Sequence, residues 1–119
     1  MFVDRKYKNF IIDMDGVIYR ENAPLPHSAE FINFLRERDV RVVFFSNNST
    51  LSRKQYVEKL SNMGIQAREE EIVSSGLITA YCLSKEKPKA YLYVIGEEGL
   101  REELLKQGMN LVEVPPYQV

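Results

Sequence analysis

Short apolar runs, rich in β-branched and aromatic residues, alternate along this chain with longer amphipathic segments. The runs are typical of strands buried in a parallel sheet, whereas the amphipathic segments repeat their apolar residues at helical spacing. The predicted strands are 10–13, 41–45, 72–74, 90–95 and 109–114. The predicted helices are 28–38, 53–63, 77–83 and 99–107, with a polar turn at 85–88 and a stop at 115–116. This order of elements predicts an α/β fold built on a Rossmann-like, doubly wound parallel sheet.

Polar side chains follow the first two predicted strands at the point where each strand ends. The first strand ends in two carboxylates, Asp13 and Asp15, and the second ends in a polar cluster, Ser46, Asn47 and Asn48. A helix of suitable length joins the two strands, so a right-handed βαβ unit pairs them in parallel and brings both polar ends to one edge. Ligands bind at this edge in open α/β sheets. We therefore expect both polar ends to belong to one site.

Simpler interpretations exist for each polar end. Asp15 and Gly16 lie between two β-prone runs, as in the turn of a β-hairpin. A calcium loop is excluded, because apolar residues occupy the fifth and sixth positions counted from Asp13, where that loop needs an oxygen ligand and a glycine. The second polar cluster taken alone is typical of an Asx turn that caps the next helix. A hairpin does not explain why two strand ends are polar, so the pair of ends favours a binding site.

Composition narrows the possible partners and compartment. The chain has 119 residues, of which 45% are hydrophobic and 28% charged, which suits one modest globular domain. The net charge is -1 and the basic residues are scattered among acids, so neither nucleic acid nor an anionic membrane is an expected partner. The apolar runs are too short to span a bilayer. A single cysteine excludes an internal disulfide, and a cytoplasmic location is expected.

Several conspicuous residues are predicted to be structural. His27 precedes a predicted helix and is expected at the surface or as a cap, while Cys82 lies on an apolar helical stretch and is expected in the core. Tyr91 and Tyr93 alternate with apolar neighbours and are expected to pack within a strand. The acidic run 69–71 is expected to be a solvated loop.

A glycine-containing stretch, Gly96-Glu97-Glu98-Gly99, follows a predicted strand. It lacks both the glycine spacing of a dinucleotide-binding loop and the Lys-Ser/Thr pair of a P-loop. Nucleotide binding by this stretch is therefore not predicted.

Four stretches carry a family resemblance: FIIDMDGVIY at 10–19, VFFSNNST at 43–50, SSG at 74–76 and VIGEEGL at 94–100. Together they resemble the haloacid dehalogenase-like (HAD) superfamily, and more narrowly its class IIA branch of NagD-type and p-nitrophenylphosphatase-like enzymes. The family pattern continues, after a cap domain, with a catalytic lysine and a Gly-Asp acidic motif, and neither is found here. The resemblance implies an N-terminal portion, with a partial HAD core at 1–88 and the beginning of an α/β cap at 89–119.

The resemblance also implies a function, a Mg²⁺-dependent phosphatase that hydrolyses small phosphate monoesters through an aspartyl-phosphate. Asp13 would be the nucleophile and Asp15 the general acid and base. Asp13 would give a side-chain oxygen and Asp15 its backbone carbonyl to Mg²⁺, which neutralises the negative charge collected at the site. The donors of Ser46, Asn47 and Asn48 would bind the phosphate.

The alternative is a non-enzymatic module, a truncated Rossmann-like domain that binds phosphate or metal, or pairs with a partner. If the full-length protein is the phosphatase, activity of the 119-residue chain alone is expected to be impaired. Absent strands would leave an apolar sheet edge unpaired beside Asp13, and such edges promote association. A homo-oligomer is therefore a possible state of the isolated chain.

Overall fold

A computed structural model of the chain describes residues 7–113, which form two compact units. The first unit runs up to Ser46 and resumes from Lys54 to Val73, and the second holds Asn47–Arg53 together with the chain from Ser74 onward. The strands are β1 (Asn9–Asp13), β2 (Tyr19–Arg20), β3 (Ala23–Pro24), β4 (Arg41–Ser46), β5 (Ile72–Ser74), β6 (Tyr91–Tyr93) and β7 (Asn110–Val112). The helices are α1 (Ser28–Glu37), α2 (Arg53–Asn62), α3 (Ser75–Glu86) and α4 (Glu98–Lys106), with a 3₁₀ turn at Glu69–Glu71.

A three-stranded sheet in the order β1-β4-β5 organises the first unit. Strands β1 and β4 are parallel, with Asp13 opposite Phe45, as expected for strands joined through helix α1. The Met14 N–H extends this pairing by donating to the Phe45 carbonyl at 3.1 Å. The predicted α/β class and parallel pairing are confirmed, and the carboxyl ends of β1 and β4 meet at one edge of the sheet.

The core of the first unit is aliphatic and aromatic. Alternate residues of β4 point to the buried side, so Val42 and Phe44 are fully buried while Val43 and Phe45 are half-buried. Other large side chains of this unit that are fully buried are Met14, Ile18, Tyr19, Ile32, Leu35, Tyr56, Leu60, Ile65 and Ile72. Helix α2 ends two residues before Gly64, whose φ of +80° fits the left-handed conformation predicted after the helix.

A buried ion pair fixes the 3₁₀ turn that precedes β5. The Arg36 guanidinium donates to both carboxylate oxygens of Glu71, at 2.9 and 3.1 Å, and to the Gln66 carbonyl at 2.7 Å. The Glu71 side chain is only 8% exposed. The prediction of a solvated loop at 69–71 is therefore wrong for Glu71, because a cation 35 positions earlier in the chain allows this carboxylate to be buried.

The second unit contains a two-stranded parallel sheet, β6 and β7, together with helices α3 and α4. Its core consists of Ala80, Val94, Leu104 and Met109. Tyr91 and Tyr93 lie in a strand as predicted, but their side chains are 78% and 48% exposed and do not pack in the core. Side chains alternate between the two faces of the strand, and here Leu92 faces the core while the two tyrosines face away from it. Cys82 is also exposed rather than buried.

The predicted elements are all present, but several boundaries differ. Helix α3 covers Ser75–Glu86 and includes two residues of the predicted polar turn at 85–88. It starts earlier because the Ser74 side chain caps it, accepting a hydrogen bond from the Leu77 N–H at 3.1 Å. Strands β6 and β7 are shorter than predicted, and the predicted stop at 115–116 lies outside the described residues. The proposed boundary between a core at 1–88 and a cap at 89–119 stays a prediction.

No helix within residues 7–113 combines the length and the apolar character that crossing a membrane requires.

Candidate active site

The candidate site begins where β1 ends. Asp13 and Asp15 are exposed residues, and Met14 between them is fully buried. Burial of Met14 and its hydrogen bond to Phe45 hold the backbone in place between the two acids. Two carboxylates are thereby presented at the edge of the sheet while the residue between them belongs to the core.

The chain then folds into a tight loop around the Met14 carbonyl. This oxygen accepts from the N–H groups of Val17 and Ile18 at 3.2 and 2.9 Å, and the Gly16 N–H donates to the Tyr19 carbonyl at 2.8 Å. Gly16 has a φ of +82°, a left-handed conformation that favours glycine. Because β1 pairs in parallel with β4 and β2 pairs with β3, the two runs that flank Asp15 and Gly16 do not form a hairpin with each other, and the hairpin alternative is wrong.

Ser46 connects the end of β4 to the second carboxylate. Its hydroxyl is buried and donates to Asp15 Oδ2 at 3.2 Å, and the same oxygen lies 3.2 Å from the Tyr56 hydroxyl. A serine hydroxyl has one proton, so the bond to Asp15 leaves Tyr56 as the donor to Ser46. A chain of two hydrogen bonds therefore runs from helix α2 through Ser46 to Asp15.

Two buried tyrosines, Tyr19 and Tyr56, lie near Asp15 in the core of the first unit. Burial, together with the negative charge of Asp15, raises the pKa of both Tyr19 and Tyr56. For Tyr56, burial and the charge of Asp15 outweigh the hydrogen bond with Ser46, which lowers the pKa. The Tyr19 hydroxyl is buried without a hydrogen-bond partner in the described structure, and the Lys59 ammonium lies 3.9 Å from the centroid of its ring. Both tyrosines thus keep their protons near neutral pH.

Asn47 and Asn48 belong to the second unit. Both residues are exposed. The Asn47 carbonyl accepts from the Ser75 hydroxyl at 3.0 Å, and Asn48 Oδ1 accepts from the Thr50 N–H at 2.9 Å. The second contact is an Asx turn, as in the structural alternative, but it is made to Thr50 and not to helix α2, which begins at Arg53. Phosphate binding by these residues stays a prediction.

The donor chemistry of the first unit suits a hard cation. Within residues 7–113 there is no group of three or more His, Cys, Asp or Glu side chains arranged to hold a metal ion. Mg²⁺, however, needs only one or two protein carboxylates, because it retains several water ligands. The exposed Asp13 and Asp15 supply oxygen donors of this kind, so the residues present fit Mg²⁺.

Two residues of this site were not predicted from the sequence. Tyr56 lies within the predicted helix 53–63, and Tyr19 is the last residue of the stretch at 10–19. A signal was available for Tyr56, because the hydroxyl of a buried tyrosine usually finds a hydrogen-bond partner. The sequence does not say which partner that is.

Known proteins resemble this chain over most of its length. The family described as "Haloacid dehalogenase-like hydrolase" matches residues 10–110. The acid sugar phosphatase of Staphylococcus saprophyticus is 36% identical over 107 residues, which cover 90% of this chain and 41% of that protein. The solved p-nitrophenyl phosphatase from Archaeoglobus fulgidus is 40% identical with a TM-score of 0.83, covering 89% of this chain and 41% of its own. The solved structure of NagD from E. coli K-12 is 28% identical with a TM-score of 0.81, and the match covers 92% of this chain and 44% of NagD. The chain spans about two-fifths of the length of these relatives.

Proposed function

Because this chain belongs to the haloacid dehalogenase-like hydrolase family, of the NagD type, we propose that the protein carrying it hydrolyses small phosphate monoesters. One observation in the chain carries this proposal. Asp13 and Asp15 flank a buried residue at the end of β1, and Asp15 accepts a hydrogen bond from Ser46 at the end of the neighbouring strand. The names of the relatives support the same reaction class, since they are phosphatases.

Asp13 is the nucleophile in this proposal. Asp13 is exposed at the strand end, so a phosphate ester arriving from solvent can reach its carboxylate. One Asp13 oxygen bonds to phosphorus while the bond from phosphorus to the ester oxygen breaks, which leaves an aspartyl-phosphate. Water then attacks the same phosphorus, the bond to Asp13 breaks, and inorganic phosphate leaves.

Asp15 moves the proton in both half-reactions. It protonates the departing ester oxygen and later takes a proton from the attacking water. Both steps need the carboxyl group in a fixed orientation, and the hydrogen bond from Ser46 to Oδ2 supplies one. Because the Tyr56 hydroxyl holds Ser46 in turn, the orientation of Asp15 is set from inside the core.

Mg²⁺ is the proposed cofactor, held by Asp13 through its side chain and by Asp15 through its backbone carbonyl. When bound, it would offset the negative charge of the phosphate and the two acids. Asn47 and Asn48 follow Ser46 directly, and the three residues together are the proposed phosphate-binding residues. This part of the proposal rests on the chemistry of the donors.

The deciding experiment replaces Asp13 in the complete protein that carries this chain. Asp13→Asn keeps the shape of the side chain but removes the nucleophile, so turnover of p-nitrophenyl phosphate should fall to background while thermal stability is retained. Asp39→Asn is the matched control, since Asp39 lies in a left-handed turn, where asparagine is tolerated. Wild-type turnover in Asp13→Asn would remove this residue from the mechanism. A wild-type protein that binds inorganic phosphate but hydrolyses no ester would establish the non-enzymatic alternative instead.

A further inference from the structure

The segment between β4 and α2 packs against the first turn of helix α4. Gly99 is buried there, and its N–H donates to the Thr50 carbonyl at 3.1 Å. A Cβ atom added at Gly99 would lie 2.5 Å from the Ser49 carbonyl oxygen and closer still to that of Leu51. Real Cβ atoms do not approach backbone oxygens so closely, and a backbone cannot rotate away as a flexible side chain does. Any side chain at position 99 must therefore displace residues 49–51.

Two further contacts hold the ends of the same segment. At its start, the Ser75 hydroxyl donates to the Asn47 carbonyl at 3.0 Å. At its end, Arg53 pairs with Glu103 through two hydrogen bonds, of 2.7 and 3.1 Å. The Glu103 side chain is only 3% exposed, so this is a bidentate pair whose carboxylate is removed from water. The segment is thus fixed at its start, middle and end by residues of α3 and α4.

We propose that Ser75, Gly99 and Glu103 are positioning residues that hold the 47–53 segment in the conformation that binds phosphate. This inference rests on the function proposed above, in which Asn47 and Asn48 bind the phosphate group. The segment has neither helix nor strand before Arg53, so its conformation depends on contacts from outside itself. Gly99 is the last residue of the Gly96–Gly99 stretch. In this inference, Gly99 is needed because the backbone of residues 49–51 packs closely against it.

The main test compares two glycine variants in the complete protein. Gly99→Ala forces the segment to move, and a displacement of about 1 Å in a positioned group can cost about 10²-fold. We therefore expect the inhibition constant of inorganic phosphate to rise by about 10-fold to 10²-fold. Gly108→Ala is the control, because Gly108 in the same unit has a φ of +79° and no atom within 4 Å of an added Cβ. It should lose stability without a change in the phosphate inhibition constant.

Two milder variants keep the inference testable if Gly99→Ala does not fold. Ser75→Ala removes one hydrogen bond, and Glu103→Gln weakens the pair with Arg53 while conserving shape. Both should raise the phosphate inhibition constant several-fold and accelerate hydrogen exchange of the amides in 47–53, relative to Gly108→Ala. Wild-type phosphate inhibition and wild-type exchange in the folded variants would overturn the inference.

The exchange measurement separates failure of this inference from failure of the proposed function. If the wild-type protein neither hydrolyses an ester nor binds phosphate, the proposed function fails, and with it the phosphate-binding role of the segment. Faster exchange in Ser75→Ala would then still show that the contacts hold the segment. If wild type is active and the variants match it in both measurements, only the positioning role fails.

Discussion

The hydroxyl of Ser46 donates a hydrogen bond to the carboxylate of Asp15 at 3.2 Å, across 31 positions of sequence. It joins the ends of two parallel strands, β1 and β4, inside the first unit. Since Tyr56 donates to Ser46 in turn, the carboxylate proposed to move protons is oriented by a buried chain of neutral hydroxyl groups. The proposed acid is therefore held by the core as well as by its own strand.

Replacement of Asp15 should separate substrates by leaving group. In Asp15→Asn of the complete protein, we expect hydrolysis of an alkyl phosphate to slow by about 10²–10⁴-fold, because the leaving alkoxide needs a proton. Hydrolysis of p-nitrophenyl phosphate should slow less, since nitrophenolate leaves without one. Steady-state kinetics on both substrates provides the comparison. Equal slowing of the two would mean that Asp15 only organises the metal.

The two buried tyrosines should respond in opposite ways to loss of the hydroxyl. Tyr56→Phe removes a buried hydrogen bond to Ser46 and should cost about 1 kcal/mol or more in the free energy of unfolding. Tyr19→Phe removes a hydroxyl that lacks a partner in the described structure and keeps the ring under Lys59, so it should cost nothing or stabilise. Urea denaturation of the two variants checks this. A larger loss in Tyr19→Phe than in Tyr56→Phe would contradict the hydrogen bonds assigned here.

The left-handed conformation of Gly16, in the loop after β1, can be tested against that of Gly64. Gly16 and Gly64 have φ values of +82° and +80°, and neither has an atom within 4 Å of an added Cβ. Alanine at either position should therefore lower stability by the same amount, about 1 kcal/mol, through backbone strain alone. Only Gly16→Ala should also lower turnover, because only Gly16 adjoins Asp15. Unfolding and p-nitrophenyl phosphate assays on the pair give the answer, and equal activity in both variants would argue against a role of the loop in catalysis.

The ion pair of Glu71 should make stability depend on acid pH. Burial by itself raises the pKa of Glu71, but hydrogen bonds from Arg36 and Arg68, together with their positive charges, outweigh it and lower the pKa below its usual range. The stabilisation is therefore complete above the ordinary glutamate pKa and is lost as pH falls through the lowered value. Glu71→Gln should flatten this acid-side loss in thermal unfolding measured from pH 6 down to about 3. The exposed neighbour provides a control, since Glu70→Gln should keep the wild-type profile.

The isolated 119-residue chain should associate through β1. Within residues 7–113 this strand pairs only with β4, and Ile11 on it is 75% exposed. An unpaired apolar edge favours pairing with a second chain, and a charge on the edge opposes it. Light scattering should show a larger mass for wild type than for Ile11→Lys at the same concentration. A monomeric wild-type chain would contradict this expectation.

The sequence alone determined the order of the elements and the place of the two acids. An apolar run that stops at Asp13 can only place Asp15 beyond the strand end, because the chain is continuous and strand geometry is fixed. A short crossover likewise left β1 and β4 one way to pair, which brought Ser46 to the same edge. These are local or topological constraints, so a single sequence contains them.

Only the tertiary structure decided which way each polar side chain faces and what it meets. Ser46 turns inward to Asp15 and Tyr56, Glu71 is buried against Arg36, and Tyr91 points outward. The burial of Ser46 and Glu71 depends on partners far away in sequence, which supply the hydrogen bonds and the charge that a buried polar group needs. Gly99 shows the same principle for a missing side chain. Its need for glycine comes from the backbone of residues 49–51, which only folding brings into contact with it.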